Sequence, residues 1–216
     1  MSQDFRPDLK GSLIGACDVD MENIILNKIE IRKSIRNQRK QLLSSVVAQA
    51  SLQVTEKISH LPEFQNAKNI AYYISHENEI DLSSLARHAT ELNKSLYLPV
   101  FSDEKKLAFY AVDANTQFQK DKWGIEEPVV SKQWPVKPST LDLILIPMVA
   151  FDAQCNRLGR GAGCYDRYLS FTKNIVRDKR PVLIGVAYEF QRVDEIISEC
   201  WDVSMDFIVT EKSIYE

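Results

Sequence analysis

Residues 141–151 (LDLILIPMVAF) form the most apolar run of the chain and limit its possible folds more than any other feature. Apolar side chains at consecutive rather than alternate positions leave a strand no solvent face. The run therefore predicts a strand buried on both sides, as in a parallel sheet covered by helices. Shorter runs at 69–75 (NIAYYIS), 95–100 (SLYLPV), 107–112, 182–188 and 207–210 predict further strands. Between them lie helical periods. Ile31, Ile35, Leu42 and Val46 mark residues 22–59 as helix in two pieces, ended by Pro62. Leu82, Leu85, Ala86, Ala89 and Leu92 mark 81–93, with Asp81 as the expected cap. A helix is expected over 164–176. Residues 113–140, with Trp123, Gly124, Pro128, Pro135 and Pro138, read as loop.

This alternation predicts an α/β fold: three layers, a mostly parallel sheet with helices on both faces. The expected organisation is a flexible leader over 1–21 and one catalytic domain over 22–216. Ligands of such folds collect beyond the C-terminal ends of the strands. The loop after the apolar run is therefore the expected functional segment.

That loop reads Asn156-Arg157-Leu158-Gly159-Arg160-Gly161-Ala162-Gly163-Cys164-Tyr165-Asp166-Arg167. Glycines at alternate positions permit positive φ and close backbone approach to a ligand. Successive N–H groups in such a loop, followed by a helix start, make an anion nest. Arg157 and Arg160 add charge suited to phosphate oxygens. A bare carboxylate at Asp166 would repel phosphate. A bound Mg²⁺ converts that repulsion into bridging, so the expected ligand is a metal–nucleotide polyphosphate. A glycine-rich turn with solvated arginines is the competing reading. The loop is neither a Walker A motif nor a clean dinucleotide fingerprint. Asp166→Ala is expected to depress turnover far more than it harms folding.

Composition narrows the partners. The 216-residue chain has a net charge of −3, which gives no reason to expect nucleic acid or an anionic membrane. No apolar run approaches the ~20 residues that span a bilayer. Cys17, Cys155, Cys164 and Cys200 form no CxxC pair, and His60, His76 and His88 form no metal motif. A reducing cytoplasm fits best.

The longer string RLGRGAGCYDRYL, preceded by PMVAFD, resembles the signature of 5-formyltetrahydrofolate cyclo-ligases. KIEIR, YYISHENEID, WGIEEP and DVSMDFIVTE stand in matching order, so the resemblance spans residues 28–211. It implies a sugar-isomerase and CoA-transferase-like fold, ATP as co-substrate, Mg²⁺, a reduced folate substrate and a place in cytoplasmic one-carbon metabolism. It also implies a monomer or weak dimer with small-molecule partners and neither nucleic acid nor membrane. Carried over, Lys28, Ile29, Glu30, Ile31 and Arg32 form an N-terminal nucleotide contact. Arg157, Leu158, Gly159, Arg160, Gly161, Ala162, Gly163, Cys164 and Tyr165 form the ATP loop, of which 160–164 also border the folate. Ile74, Glu79 and Trp123 contact substrate, and Asp166 and Asp202 hold magnesium. Lys28, Arg32 and Arg160 are the expected catalytic cations.

The residues bear a reading of their own. Lys28, Arg32, Arg36 and Arg39 lie three or four apart and form one cationic stripe on a helix, with a solvated helix face as the alternative. Glu79 is placed to accept a pterin's N–H groups or to sit as a helix N-terminal charge. Trp123 offers a flat face for a fused ring or a core side chain. Asp202 and Asp206 bracket the last strand, where turn chemistry is their other role. Two positions depart from the family pattern. Cys164 stands where an aromatic is usual, which is expected to raise KM for the folate. Trp201 stands where a histidine often precedes the aspartate. The rival functions are a binding regulator with little turnover, a sugar-phosphate isomerase or transferase on the same fold, and a nucleic-acid module using the basic helix.

Overall fold

The computed structural model describes residues 16–104, 106–121, 124–130 and 133–216. Helices α1 (Ala16–Lys40), α2 (Ser44–His60) and α3 (Pro62–Asn66) precede β1 (Asn69–Ala71). Helix α4 (Ser83–Glu91) leads to β2 (Ser95–Phe101) and β3 (Leu107–Val112). A small hairpin, β4 (Phe118–Lys120) with β5 (Glu126–Pro128), lies within the stretch read as loop. Then come β6 (Leu143–Pro147), β7 (Ala150–Phe151), β8 (Arg157–Leu158), α5 (Cys164–Leu169), β9 (Val182–Val186), β10 (Phe207–Val209) and β11 (Ile214–Tyr215).

The main sheet runs β11-β10-β9-β6-β1-β2-β3. The five strands from β10 to β2 are parallel, and β11 and β3 close the edges antiparallel. The expected three-layer α/β arrangement holds. One core layer joins α2, α3 and α4 to one face through Val54, Ile58, Phe64, Leu85, Leu143, Leu145 and Ile184. The other carries α5 through Leu169, with Ile144, Ile146, Leu183 and Ile208. Alternate residues of β6 thus serve opposite layers, which is why its apolar side chains are consecutive. No helix among the described residues is long and apolar enough to cross a membrane.

Four details differ from the sequence expectation. Helix α1 begins at Ala16, inside the stretch read as a leader, while residues 1–15 lie outside the described residues. The run 141–151 is two strands. Pro147 brings no N–H, and the carbonyls of Met148 and Val149 turn aside to accept from Gln191 Nε2 at 2.8 Å each. The Val149 N–H then finds Leu158 O at 2.8 Å, so β7 pairs with β8 in a separate sheet. Helix α5 stops at Leu169 and continues as a 3₁₀ turn over Ser170–Asn174. Asp81 precedes its helix by two residues, accepting from Ser83 N at 3.0 Å and Ser83 Oγ at 2.8 Å.

The order reverses between β1 and β6: from β1 the chain moves to β2 on one side and returns to β6 on the other. This is the switch point at which open α/β sheets bind ligands. The C-terminal ends of β1 and β6 carry the two segments that matter most, the turn 76–79 and the glycine loop.

Gly185 in β9 marks where the layers are tightest. A Cβ there would lie 2.2 Å from Met148 Cε, 3.1 Å from Ile208 and 3.2 Å from Met205. Gly185→Ala is expected to cost about 1–3 kcal/mol by overpacking, measured by urea denaturation.

Candidate functional site

Two loops and one helix converge on the switch point. The first loop, His76-Glu77-Asn78-Glu79, turns with both central residues left-handed, Glu77 at φ 51° and Asn78 at φ 57°. Such φ values are costly for residues with a Cβ and persist where surroundings enforce them. Here the surroundings are the end of α1. Asn78 Nδ2 donates to the carbonyls of Arg39 at 3.1 Å and Leu42 at 3.3 Å, tying the turn to the end of the helix. Arg39 Nε donates to Glu77 O at 2.9 Å, and Tyr188 Oη donates to Asn78 O at 2.9 Å.

The turn presents two carboxylates to arginines. Glu77 takes Arg36 Nη2 at 2.8 Å and Lys40 Nζ at 3.1 Å. Burial pushes its carboxyl up, but hydrogen bonds from Arg36 and Lys40 outweigh this and carry it down to about 2. Glu79 is buried. Its Oε1 takes Arg160 Nη2 at 2.9 Å and lies 3.6 Å from Arg39 Nη2, while Oε2 takes the His76 N–H at 3.1 Å. The cationic stripe is therefore no solvated face. Arg39 is fully buried, and burial lowers its pKa against the pull of Glu79.

The glycine loop is shaped by Asp152, which is buried and accepts from Gln154 N, Asn156 N and Ile196 N. Gly161 at φ 100° and Gly163 at φ 63° supply the left-handed positions, whereas Gly159 has ordinary φ. Arg32 Nε donates to Gly159 O at 2.9 Å, and a Cβ on Gly161 would stand 3.6 Å from the Arg32 guanidinium carbon. Glycine thus lets the helix cation lie along the loop. Among the described residues, no carbonyl or side chain takes the N–H groups of Arg160, Gly161, Ala162 or Gly163. A loop of available donors beside a cationic helix suits a polyanion.

Between these parts lies a cavity of about 800 Å³, towards the upper end for small-molecule sites. It is bordered by Lys28, Arg32, Ile74, Glu79, Arg157, Leu158, Gly159, Arg160, Gly161, Ala162, Gly163, Cys164, Tyr165, Asp166 and Asp202. Tyr73, Leu98, Pro99, Phe101 and Met148 supply an apolar wall. Ile29, Glu30 and Ile31 of the expected nucleotide contact do not border it. Ile29 and Glu30 are exposed, and Ile31 packs on Ala150, Leu158 and Ile196. One turn of helix directs every third or fourth side chain, not five in a row, to one ligand. Trp123 lies outside the described residues.

Arg157 is buried and paired within the fold. Its side chain is 3% exposed and its Nη2 meets Asp166 Oδ1 at 2.6 Å. The same oxygen faces the Val203 N–H at 3.4 Å. Asp166 is therefore the partner of a buried guanidinium as well as a carboxylate on the cavity wall. Asp202 stands elsewhere on that wall, its Oδ2 accepting from Glu199 N at 2.9 Å and lying 4.0 Å from Lys28 Nζ. Among the described residues, no group of three or more His, Cys, Asp and Glu side chains forms a metal cluster. Two separate, cation-paired carboxylates fit a divalent ion carried in by phosphates better than a resident one. Beside the loop, burial raises the pKa of the Tyr165 hydroxyl, which has no hydrogen-bond partner among the described residues.

The model of the 5-formyltetrahydrofolate cyclo-ligase family matches residues 25–211. The chain belongs to that family. Among curated relatives, 5-formyltetrahydrofolate cyclo-ligase of Haemophilus influenzae is 36% identical over 178 residues, 82% of this chain and 93% of that one. The Escherichia coli cyclo-ligase is 28% identical over 184 residues, 84% of this chain and 99% of its own. Among solved structures, 5,10-methenyltetrahydrofolate synthetase of Aquifex aeolicus superposes with a TM-score of 0.74 at 32% identity, covering 88% of this chain and 92% of that one. The Mycoplasma pneumoniae synthetase gives 0.68 at 25% identity, covering 85% and 98%. Like the cyclo-ligases, this chain is an enzyme of the ligase class.

Two outcomes follow from the paired charges. Asp166→Ala leaves the Arg157 guanidinium buried without its carboxylate, so the expected separation of turnover from folding does not hold for that variant. It is expected to lose about 3 kcal/mol in urea denaturation, and Asp166→Asn markedly less. Because the Glu77 carboxyl lies below its ordinary 4.5, its contribution is fully present above that pH and lost as pH falls towards about 2. Glu77→Gln is expected to flatten the loss of stability across that window, read by denaturation at stepped pH.

Proposed function

We propose that the chain converts 5-formyltetrahydrofolate and ATP into 5,10-methenyltetrahydrofolate, ADP and phosphate through a phosphorylated formyl intermediate. The observation that carries this reading is one cavity with two halves. The donors of residues 160–163, with Lys28 and Arg32, suit a triphosphate. The apolar wall with the buried carboxylate of Glu79 suits a pterin, whose N–H groups need an acceptor.

The chemistry explains the pairing. A formamide carbon is a weak electrophile and its oxygen a poor leaving group. Transfer of the γ-phosphoryl to the formyl oxygen breaks the bond to ADP and leaves a cationic imidate phosphate. N10 then attacks the activated carbon. Departure of phosphate with its oxygen, and of the N10 proton to solvent, leaves the methenyl bridge. Phosphoryl transfer requires alignment and charge neutralisation rather than a side-chain nucleophile. Loop amides, Arg32, Lys28 and the cavity-facing Arg160 meet that requirement. Asp166 and Asp202 would be the carboxylates to hold Mg²⁺, which would supply charge neutralisation at phosphate oxygens. Gly161 and Gly163 leave Arg32 and Arg167 room against the loop. The free thiols of Cys155, Cys164 and Cys200 support a reducing, cytoplasmic setting.

The test is absorbance. Protein, 5-formyltetrahydrofolate and Mg-ATP are expected to produce the methenyl chromophore in proportion to ADP, with none when ATP is omitted. Chromophore without ATP sinks the ATP step, and tight ATP binding without chromophore makes the chain a binding protein instead.

A further inference from the structure

Helix α1 acts as a ruler along the cavity. Arg36 pairs with Glu77 of the turn after β1, Arg32 with Gly159 of the glycine loop, and Lys28 with Glu199 at 3.7 Å. Ile25 lies one turn further, 52% exposed and also on the cavity wall. At 1.5 Å per residue the row from Arg36 to Ile25 spans ~16 Å. The folate half, with Glu79, is at the Arg36 end. The phosphate donors are in the middle. What occupies the Ile25 end is a different chemical problem.

That end carries Trp201. Its indole is 61% exposed yet borders the cavity. An aromatic ring in water is usually a loose surface side chain, but the backbone beneath this one is held tightly. Asp202 N donates to Glu199 O at 3.0 Å, and Asp202 Oδ2 accepts from Glu199 N at 2.9 Å, closing a turn with Cys200 and Trp201 at its tip. Lys28 holds the turn from α1, and Lys173 Nζ donates to Cys200 O at 2.5 Å from the opposite side. The result is a solvent-facing indole carried on a braced turn, with Ile25 and Ile196 also on the cavity wall.

We propose that Trp201 is the stacking platform for the purine base of the nucleotide, and so a binding determinant for ATP in this chain. The inference rests on the proposed ATP-dependent reaction. That reaction requires the γ-phosphoryl to face the folate half, so the triphosphate runs away from Glu79 along the loop and Arg32. Its nucleoside then emerges past Lys28, at Trp201. A base offers its π face to indole whatever its edge carries, so the platform holds it by stacking. An exposed ring gains most from such a ligand, because stacking removes its apolar face from water.

The experiment compares competitive inhibition by ADP and by inorganic tripolyphosphate, which shares the charge but has no base, in wild type, Trp201→Ala and Trp201→Phe. In Trp201→Ala the Ki for ADP and the KM for ATP are expected to rise roughly 5- to 100-fold. The Ki for tripolyphosphate and the KM for 5-formyltetrahydrofolate stay put. Trp201→Phe recovers most of the loss. Equal weakening of ADP and tripolyphosphate overturns the proposal, because the residue then acts through the turn and Asp202. A rise confined to the folate KM also overturns it, placing the folate's aromatic ring there instead. If wild type shows neither ADP inhibition nor ATP dependence, the proposed reaction itself fails, an outcome distinguishable from both.

Discussion

A fully buried guanidinium holds the site together. Arg39 leaves water at the end of α1, donates to Glu77 O at 2.9 Å and sits 3.6 Å from Glu79 and 3.9 Å from Glu77. Withdrawing such an ion from solvent costs several kcal/mol, which these partners offset only in part, since Nη2 has no hydrogen bond among the described residues. Arg39 is therefore weak evidence for stability and strong evidence for register. It fixes which turn of α1 faces the strained segment after β1, and a slip by one residue would bury it without acceptors. Lys28, Arg32 and Arg36 follow from that register, because helical spacing sets them on the same face.

Register explains how one helix addresses three separate loops. The turn 76–79 lies at the end of β1 and the glycine loop follows β6 through β7 and β8. The turn 199–202 precedes β10. None of these is close to another in sequence, and each is irregular backbone that needs an outside reference. The Arg160–Glu79 bridge then ties the first two across the cavity.

Much of this was legible in the residues. Consecutive apolar positions at 141–151 identify the central strand, and alternate glycines at 159, 161 and 163 identify the loop that follows it. The cationic spacing of Lys28, Arg32, Arg36 and Arg39 was visible too, but not their division of labour. Periodicity shows that residues share a face. It does not show that Arg39 is buried while Arg36 remains half in water, because that depends on partners 38 to 109 residues away. The break at Pro147 was signalled by the proline itself, whereas the turned carbonyls of Met148 and Val149 depend on Gln191, for which no local pattern exists. Asp152 and Glu77 were missed for the same reason: a carboxylate that organises backbone N–H groups or arginines looks like any other in a string. Glu77 did carry a faint signal, as it lies beside Asn78, a residue tolerant of left-handed φ.

Four of the cations around the cavity are already matched with carboxylates: Arg36 with Glu77, Arg160 with Glu79, Arg157 with Asp166, and Lys28 with Glu199. In the proposed reaction a polyphosphate would compete with these pairs, and their burial ranks how readily each would give way. Arg157 is 3% exposed, so moving its guanidinium would leave both it and its cavity wall unsatisfied. Its geometry suits positioning Asp166 more than reaching for phosphate. Arg160 is 38% exposed while its partner Glu79 is 8% exposed, so the arginine is the half able to swing. With Arg160 swung away, Glu79 would still have Arg39 Nη2 at 3.6 Å and the His76 N–H at 3.1 Å to hold its orientation. A swing of Arg160 would free one cation beside the loop and one acceptor beside the apolar wall in the same movement. Two ligands that need those groups on opposite sides of a single bridge would each make room for the other.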